Sequence, residues 1–210
     1  MTGAFIKICG LSTPETVAAA VGSGASHVGF VHFAKSPRHV SLADAARLRA
    51  LVPGHVKAVL LLVNPTEQTL ADAVREMRPD IIQFHGDETP EDLARFRAET
   101  GIAAWRAMGV KDAAALADAT RFHGAADRLL FDAPASSLPG GNGAAFDWNL
   151  LRFYDGPTPW GLAGGLNAAN VAEAIRLTGA PLVDTSSGVE RAPGVKDVDK
   201  IAAFCKAARL

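Results

Sequence analysis

The chain has 210 residues, with 21 Lys and Arg against 22 Asp and Glu, a formal net charge of -1, 49% hydrophobic and 20% charged residues. That length holds one large domain or two small ones, and the balance is that of a soluble chain with a sizeable core. It excludes a globally basic nucleic-acid binder. The longest wholly apolar stretch, Ala58–Val63, is far too short to span a bilayer, and no Lys/Arg block suits an anionic membrane.

Short apolar runs rich in Val, Ile, Leu and Phe alternate with longer alanine-rich amphipathic stretches, the pattern of buried parallel strands and covering helices. In chain order the spacing predicts a strand at Phe5–Cys9 and a helix at Pro14–Val21, with Ser12 and Thr13 as possible caps and Gly22 beyond its end. A strand at His27–His32 and a helix at Leu42–Leu51 follow, then Lys57–Asn64 with Glu67–Met77, and Ile81–His85 with Pro90–Thr100. The second half gives Ala103–Met108 with Lys111–Phe122, Arg128–Asp132 with Trp148–Phe153, Trp160–Ala163 with Asn170–Leu177, and Leu182–Asp184 with Val198–Ala208. Eight strand–helix units with no leftover block predict an α/β fold closed as a single (β/α)8 (TIM) barrel, one catalytic domain over residues 1–210. An open doubly wound sheet is the alternative, because periodicity does not show closure. The longest connection, Ala133–Phe146, contains Gly140-Gly141-Asn142-Gly143 and has the length of a binding loop or lid.

Side chains alternate along a strand between barrel axis and helix layer. If Ile6 and Ile8 face the helices, Lys7 and Cys9 point inward; the same parity turns Gln83 and His85 inward beside Ile82 and Phe84. Asp132 and Asp184 come inward beside Phe131 and Val183, and Arg106 does so if Trp105 packs outward. These seven polar residues share the C-terminal halves of their strands, the end at which barrel enzymes carry their active sites. A buried charge needs a partner or a ligand, so a site is expected there. The seventh strand runs into Gly164 and Gly165, and the eighth into Ser186, Ser187 and Gly188. Small residues at these two places suit close approach of backbone N–H groups to a phosphate.

Two cysteines, Cys9 and Cys205, make neither a disulfide framework nor a zinc motif. With no signal-peptide pattern, a reducing, cytoplasmic setting is expected. His85 is a candidate acid or base in its own right, because unperturbed histidine titrates near neutrality. A metal-dependent epimerase on the same barrel would want His and Asp ligands at strand ends; His32 and His85 begin such a set, but Ala34 breaks it. A phosphosugar-sensing barrel would need neither an acid nor a base.

The matching segments are Lys7-Ile8-Cys9-Gly10, Gly29-Phe30-Val31, Ser36-Pro37-Arg38-His39-Val40, Gln83-Phe84-His85-Gly86-Asp87-Glu88, Phe131-Asp132, Gly140-Gly141-Asn142-Gly143 with Phe146-Asp147-Trp148, Leu162-Ala163-Gly164-Gly165-Leu166 and Val183-Asp184-Thr185-Ser186-Ser187-Gly188-Val189-Glu190. Through them the chain resembles the phosphoribosylanthranilate isomerase family of tryptophan biosynthesis over essentially its whole length. The resemblance implies an Amadori rearrangement of a phosphorylated aminosugar, with Cys9 as general base and Asp132 as general acid. It places Arg38 near the anthranilate carboxylate, and the inward Lys7, Gln83, His85, Arg106 and Asp184 are expected to contact the substrate. Phosphate is expected on Gly164, Gly165, Ser186, Ser187 and Gly188. Lys7, on the same face as Cys9, is expected to favour the thiolate. No metal, organic cofactor, nucleic acid or membrane partner is implied, and a monomer is expected rather than a homodimer. Asn142 stands where the family more often has Thr, and Thr185 where it more often has Val.

Overall fold

The computed structural model describes residues 3–134 and 146–209. The glycine run of residues 140–143, with Asn142, lies outside them. Eight parallel strands close into a barrel in sequence order: β1 (Phe5–Cys9), β2 (His27–Val31), β3 (Lys57–Leu62), β4 (Ile81–Phe84), β5 (Ala103–Gly109), β6 (Arg128–Asp132), β7 (Trp160–Leu162) and β8 (Leu182–Thr185). Closure is made by β8 pairing β1, with Lys7 opposite Asp184. That pairing settles the question of the open sheet.

The helices are α1 (Pro14–Gly22), α2 (Leu42–Arg49), α3 (Glu67–Met77), α4 (Pro90–Thr100), α5 (Ala113–Asp118), α6 (Val171–Thr178) and α7 (Val198–Ala207). Their starts are written in the sequence. Thr13, Ser41, Thr66, Thr89, Asp112 and Asp197 each accept a hydrogen bond from a backbone N–H of the first turn, satisfying donors the helix leaves open. Two expected helices are tighter than expected. Residues 119–122 finish α5 as a 3-10 turn, and Trp148–Phe153 is 3-10 throughout. One pair of strands was not expected at all: β9 (Glu190–Ala192) and β10 (Val195–Lys196) form an antiparallel hairpin after β8.

Outward-facing Ile6, Ile8, Val28, Phe30, Leu60, Ile82, Phe84, Leu129, Phe131 and Val183 pack with the helices in one continuous core. Each large side chain so buried contributes about 1.5–3 kcal/mol. A second cluster, Val59, Ile81, Trp105, Ala107, Leu130 and Leu182, fills the barrel interior. This plug forms a solid floor, so the chemistry must lie above it. None of the helices among the described residues is long and apolar enough to cross a membrane.

Candidate active site

One cavity opens at the C-terminal end of the barrel. It is lined by Cys9 of β1, Gln83 and His85 at the end of β4, Asp132 of β6 and Asp184 of β8, with Arg38 from the loop after β2. Gly164, Gly165, Ser186 and Ser187 line the same cavity from the loops after β7 and β8. The fold thus brings together ten of the thirteen residues singled out by sequence. The other three lie elsewhere, each for a packing reason.

Lys7 does not reach the cavity. Its side chain is 0% exposed and its Nζ donates to Asp184 Oδ2 at 2.9 Å, behind the groups that line the cavity. This position does not support the direct substrate contact expected of Lys7; what its side chain reaches is Asp184. Gly188 is packed against the preceding loop; a Cβ there would meet the Leu166 carbonyl oxygen at 1.9 Å. Its smallness serves the closeness of the two loops, which Thr185 Oγ1 also joins by donating to Leu166 O at 2.7 Å.

Arg106 corrects the parity assigned to β5. Trp105 points inward, its ring 5.1 Å from that of His27, because the barrel floor needs a large side chain there. Arg106 consequently faces the helix layer, over Phe122, and donates to Glu88 Oε2 at 2.7 Å and to Gly86 O at 2.8 Å. Glu88, which sequence reasoning passed over, is buried and also accepts from the backbone N–H groups of Asn64 and Gly86. The Arg106–Glu88 pair thus fastens the strand ends on the flank of the site. Arg106→Met strands a buried carboxylate and is expected to cost about 3 kcal/mol of stability, while substrate KM stays within about twofold. Urea unfolding and steady-state kinetics check this; a KM rise of about tenfold or more would restore direct contact.

The electrostatics of the cavity separate its titratable groups. Burial pushes the Asp132 carboxyl up to about 7, and the Asp184 charge adds to this; the Ala133 N–H and Lys7 pull the other way. Asp132 Oδ1 accepts that N–H at 2.8 Å, beside Gly164, whose φ of +81° and missing Cβ let the next loop lie against it. Burial, with the charges of Arg106 and Lys7, depresses His85 to about 4, leaving a neutral imidazole whose Nε2 is 3.7 Å from Asp132 Oδ2, too long for a hydrogen bond. The Cys9 thiol is pushed up by burial; Lys7 and Lys196 lower it and Asp184 raises it, and burial prevails. Burial opposes the Lys7 ammonium, but Asp184 and Cys9 outweigh it and the amine is held above its ordinary range. Asp184 is raised by burial and pulled back by Lys7. At 2.9 Å we assign that couple as an ion pair.

Three buried polar atoms at the cavity, Gln83 Oε1, His85 Nδ1 and Asp184 Oδ1, have no hydrogen-bond partner within the described protein. Such atoms need one. Two of them are acceptors, complementary to the hydroxyl donors of a sugar. No group of three His, Cys, Asp or Glu side chains able to hold a metal occurs among the described residues.

A barrel whose cavity sets a proton-holding carboxyl, a thiol and a neutral imidazole against acceptors for hydroxyl groups defines an acid–base enzyme for small polar molecules. Its kinship is more specific. Residues 6–207 match the family model described as N-(5'phosphoribosyl)anthranilate (PRA) isomerase, and the chain belongs to that family. The N-(5'-phosphoribosyl)anthranilate isomerase of Erythrobacter litoralis is 62% identical over 205 residues, covering 98% of both chains. That of Mesorhizobium japonicum is 50% identical over 207 residues, covering 97% of this chain and 94% of its own. Among solved structures, phosphoribosyl anthranilate isomerase from Thermotoga maritima superposes with a TM-score of 0.90 at 34% identity, covering 98% of each chain. A phosphoribosyl anthranilate isomerase in complex with reduced 1-(o-carboxyphenylamino)-1-deoxyribulose 5-phosphate gives 0.84 at 33% identity, again with 98% coverage of each.

Proposed function

We infer that this chain converts N-(5-phosphoribosyl)anthranilate to 1-(2-carboxyphenylamino)-1-deoxyribulose 5-phosphate, the isomerase step of tryptophan biosynthesis, by acid–base catalysis on its own side chains. The observation that carries the division of labour is the Asp132 carboxyl, held up to about 7 in the cavity that also holds Cys9. A carboxyl with that affinity still holds a proton near neutrality and can give it away.

Asp132 donates its proton to the furanose ring oxygen as the C1–O bond breaks, and the anilino nitrogen lone pair forms the iminium at C1. The Cys9 thiolate removes the proton on C2, whose bonding electrons become the C1=C2 bond of an enaminol. Proton transfer from the C2 hydroxyl and to C1 then gives the ketose. His85, neutral with its pKa near 4, is a poor base and is assigned to orient the sugar. Arg38 faces the anthranilate carboxylate, and the Gly164–Gly165 and Ser186–Ser187 loops the phosphate. Every group in this scheme comes from one subunit, so it requires no partner chain. Free buried thiols such as Cys9 and Cys205 accord with the cytoplasm, where thiols stay reduced.

The test is turnover of freshly prepared phosphoribosylanthranilate, followed by its fluorescence, with and without EDTA. Equal rates are expected in both arms. Absence of turnover by folded protein on intact substrate would sink the assignment, and loss of activity in EDTA alone would bring back a metal-assisted reaction.

A further inference from the structure

The hairpin that the sequence did not reveal carries a buried charge cluster at the cavity wall. Glu190, first residue of β9, is 8% exposed and receives Arg38 in a two-pronged pair, Nε to Oε1 at 2.7 Å and NH2 to Oε2 at 2.8 Å. Lys196, last residue of β10, has a side chain 1% exposed and donates to the same Oε1 at 2.7 Å. The Lys196 ammonium also donates to the carbonyl oxygen of Ser186 at 2.8 Å and meets its Oγ at 3.1 Å, and that Oγ donates to the Cys9 carbonyl oxygen at 3.1 Å. The turn of the hairpin presses on the loop that bears Arg38: a Cβ on Gly194, whose φ is +79°, would meet Pro37 O at 2.3 Å.

A two-pronged pair fixes the plane of a guanidinium as well as its position. An arginine on a loop otherwise spends side-chain entropy on every ligand it orders. One carboxylate between two cations leaves the corner with a net charge of +1, so both cations are ordered without their attraction for anions being cancelled. These two cations also lead in different directions. Arg38 lines the cavity on the β2 side, whereas Lys196 braces Ser186 on the β8 side.

We propose that Glu190 is a positioning residue that sets both anion-binding ends of the site at once, the carboxylate end through Arg38 and the phosphate end through Lys196 and the Ser186 loop. This rests on the isomerase reading above and adds to it a residue that touches neither anion. The β9–β10 hairpin is then a clasp that fixes the distance between the two ends of a substrate carrying a charge at each.

The experiment uses the full chain, with phosphoribosylanthranilate turnover as the parent assay and two half-ligands, anthranilate and inorganic phosphate, as competitive inhibitors. In Glu190→Gln, both inhibition constants are expected to weaken about tenfold, the loss of a charge-assisted hydrogen bond at each end, with KM rising more than kcat falls. In Lys196→Met, phosphate alone is expected to weaken. The coupling is read in a cycle: in an Arg38→Ala background, Glu190→Gln should no longer affect anthranilate but should still weaken phosphate. A purely structural role would weaken both inhibitors equally in either background, and that result overturns the proposal, as does an unchanged pair of constants in Glu190→Gln. Should Glu190→Gln not fold, Lys196→Met decides, and equal weakening of both inhibitors there refutes the division. Inactive wild-type protein on intact substrate would instead refute the isomerase reading itself.

Discussion

Asp132→Asn is expected to lower kcat/KM by about a hundred- to ten-thousand-fold and, at the same time, to stabilise the protein at alkaline pH. The first effect follows from removing the proton donor for the ring oxygen while leaving the cavity shape intact, since Asn still offers an Oδ1 to the Ala133 N–H that Asp132 accepts at 2.8 Å. The second follows from linkage. Unfolded, Asp132 loses its proton near its ordinary 3.8; folded, it does so near 7. Between those values the folded state keeps a proton that the unfolded state has released, so stability is full below 3.8 and declines as pH rises through the window. The deficit above it is up to about 4 kcal/mol. Asparagine carries no such charge, so the variant should unfold at higher urea than wild type at pH 8 and at equal urea at the acid end. Wild-type levels of turnover would dismiss Asp132 as the acid. An unchanged urea midpoint at pH 8 would mean that its carboxyl is not held proton-bearing by the fold. The opposite slope comes from His27 and His85, depressed to about 3 and about 4 chiefly by burial. They stay neutral when folded, so their contribution is present above about 6.5 and falls away as pH drops through the histidine range.

The barrel was legible because the strands are largely buried on both faces and read as short, mostly apolar runs, and because threonine, serine and aspartate caps mark the helix starts. Parity then turned six polar side chains toward the axis, Lys7, Cys9, Gln83, His85, Asp132 and Asp184, since each had an unambiguous aliphatic or aromatic neighbour to face outward. It failed at β5. In Ala103-Ala104-Trp105-Arg106-Ala107-Met108 the small alanines fit either side, and what decides is the volume needed to plug the floor, a property of all eight strands together. Depth along the strand was equally hidden. Lys7 and Cys9 share a face, but the lysine is wholly buried behind the cavity lining while the thiol lines the cavity. The Glu190–Lys196 clasp left little trace, because strands of three and two residues have no periodicity and their charges read as a solvated loop.

The other large effect concerns the base. Cys9→Ala is expected to lower kcat by about a hundred-fold or more, with KM little changed. The more discriminating variant is Lys7→Met, because the acid and the base are poised in an inverted order. Asp132 titrates near 7, whereas burial holds the Cys9 thiol above its ordinary range. The reactive form, with the proton on Asp132 and none on Cys9, is then a minority of the singly protonated enzyme, and its population rises through the lower value and falls through the higher. The basic limb of the pH–rate profile therefore reports the thiol. The Lys7 ammonium is the largest influence pulling that thiol down, and it also holds the Asp184 carboxylate at 2.9 Å. Lys7→Met should move the basic limb to higher pH and lower the plateau by the same factor, since the minority form becomes rarer still. Loss of the ammonium leaves a buried carboxylate, so Lys7→Met/Asp184→Asn is the partner variant that separates charge from folding: there neither charge remains and the limb should again lie above that of wild type. A basic limb that stays in place in Lys7→Met would show that Lys7 holds the barrel interior together without tuning the base. The pH dependence of Cys9 alkylation, measured in a Cys205→Ala background, gives the same thiol value without turnover. Disagreement between the two would assign the limb to another group.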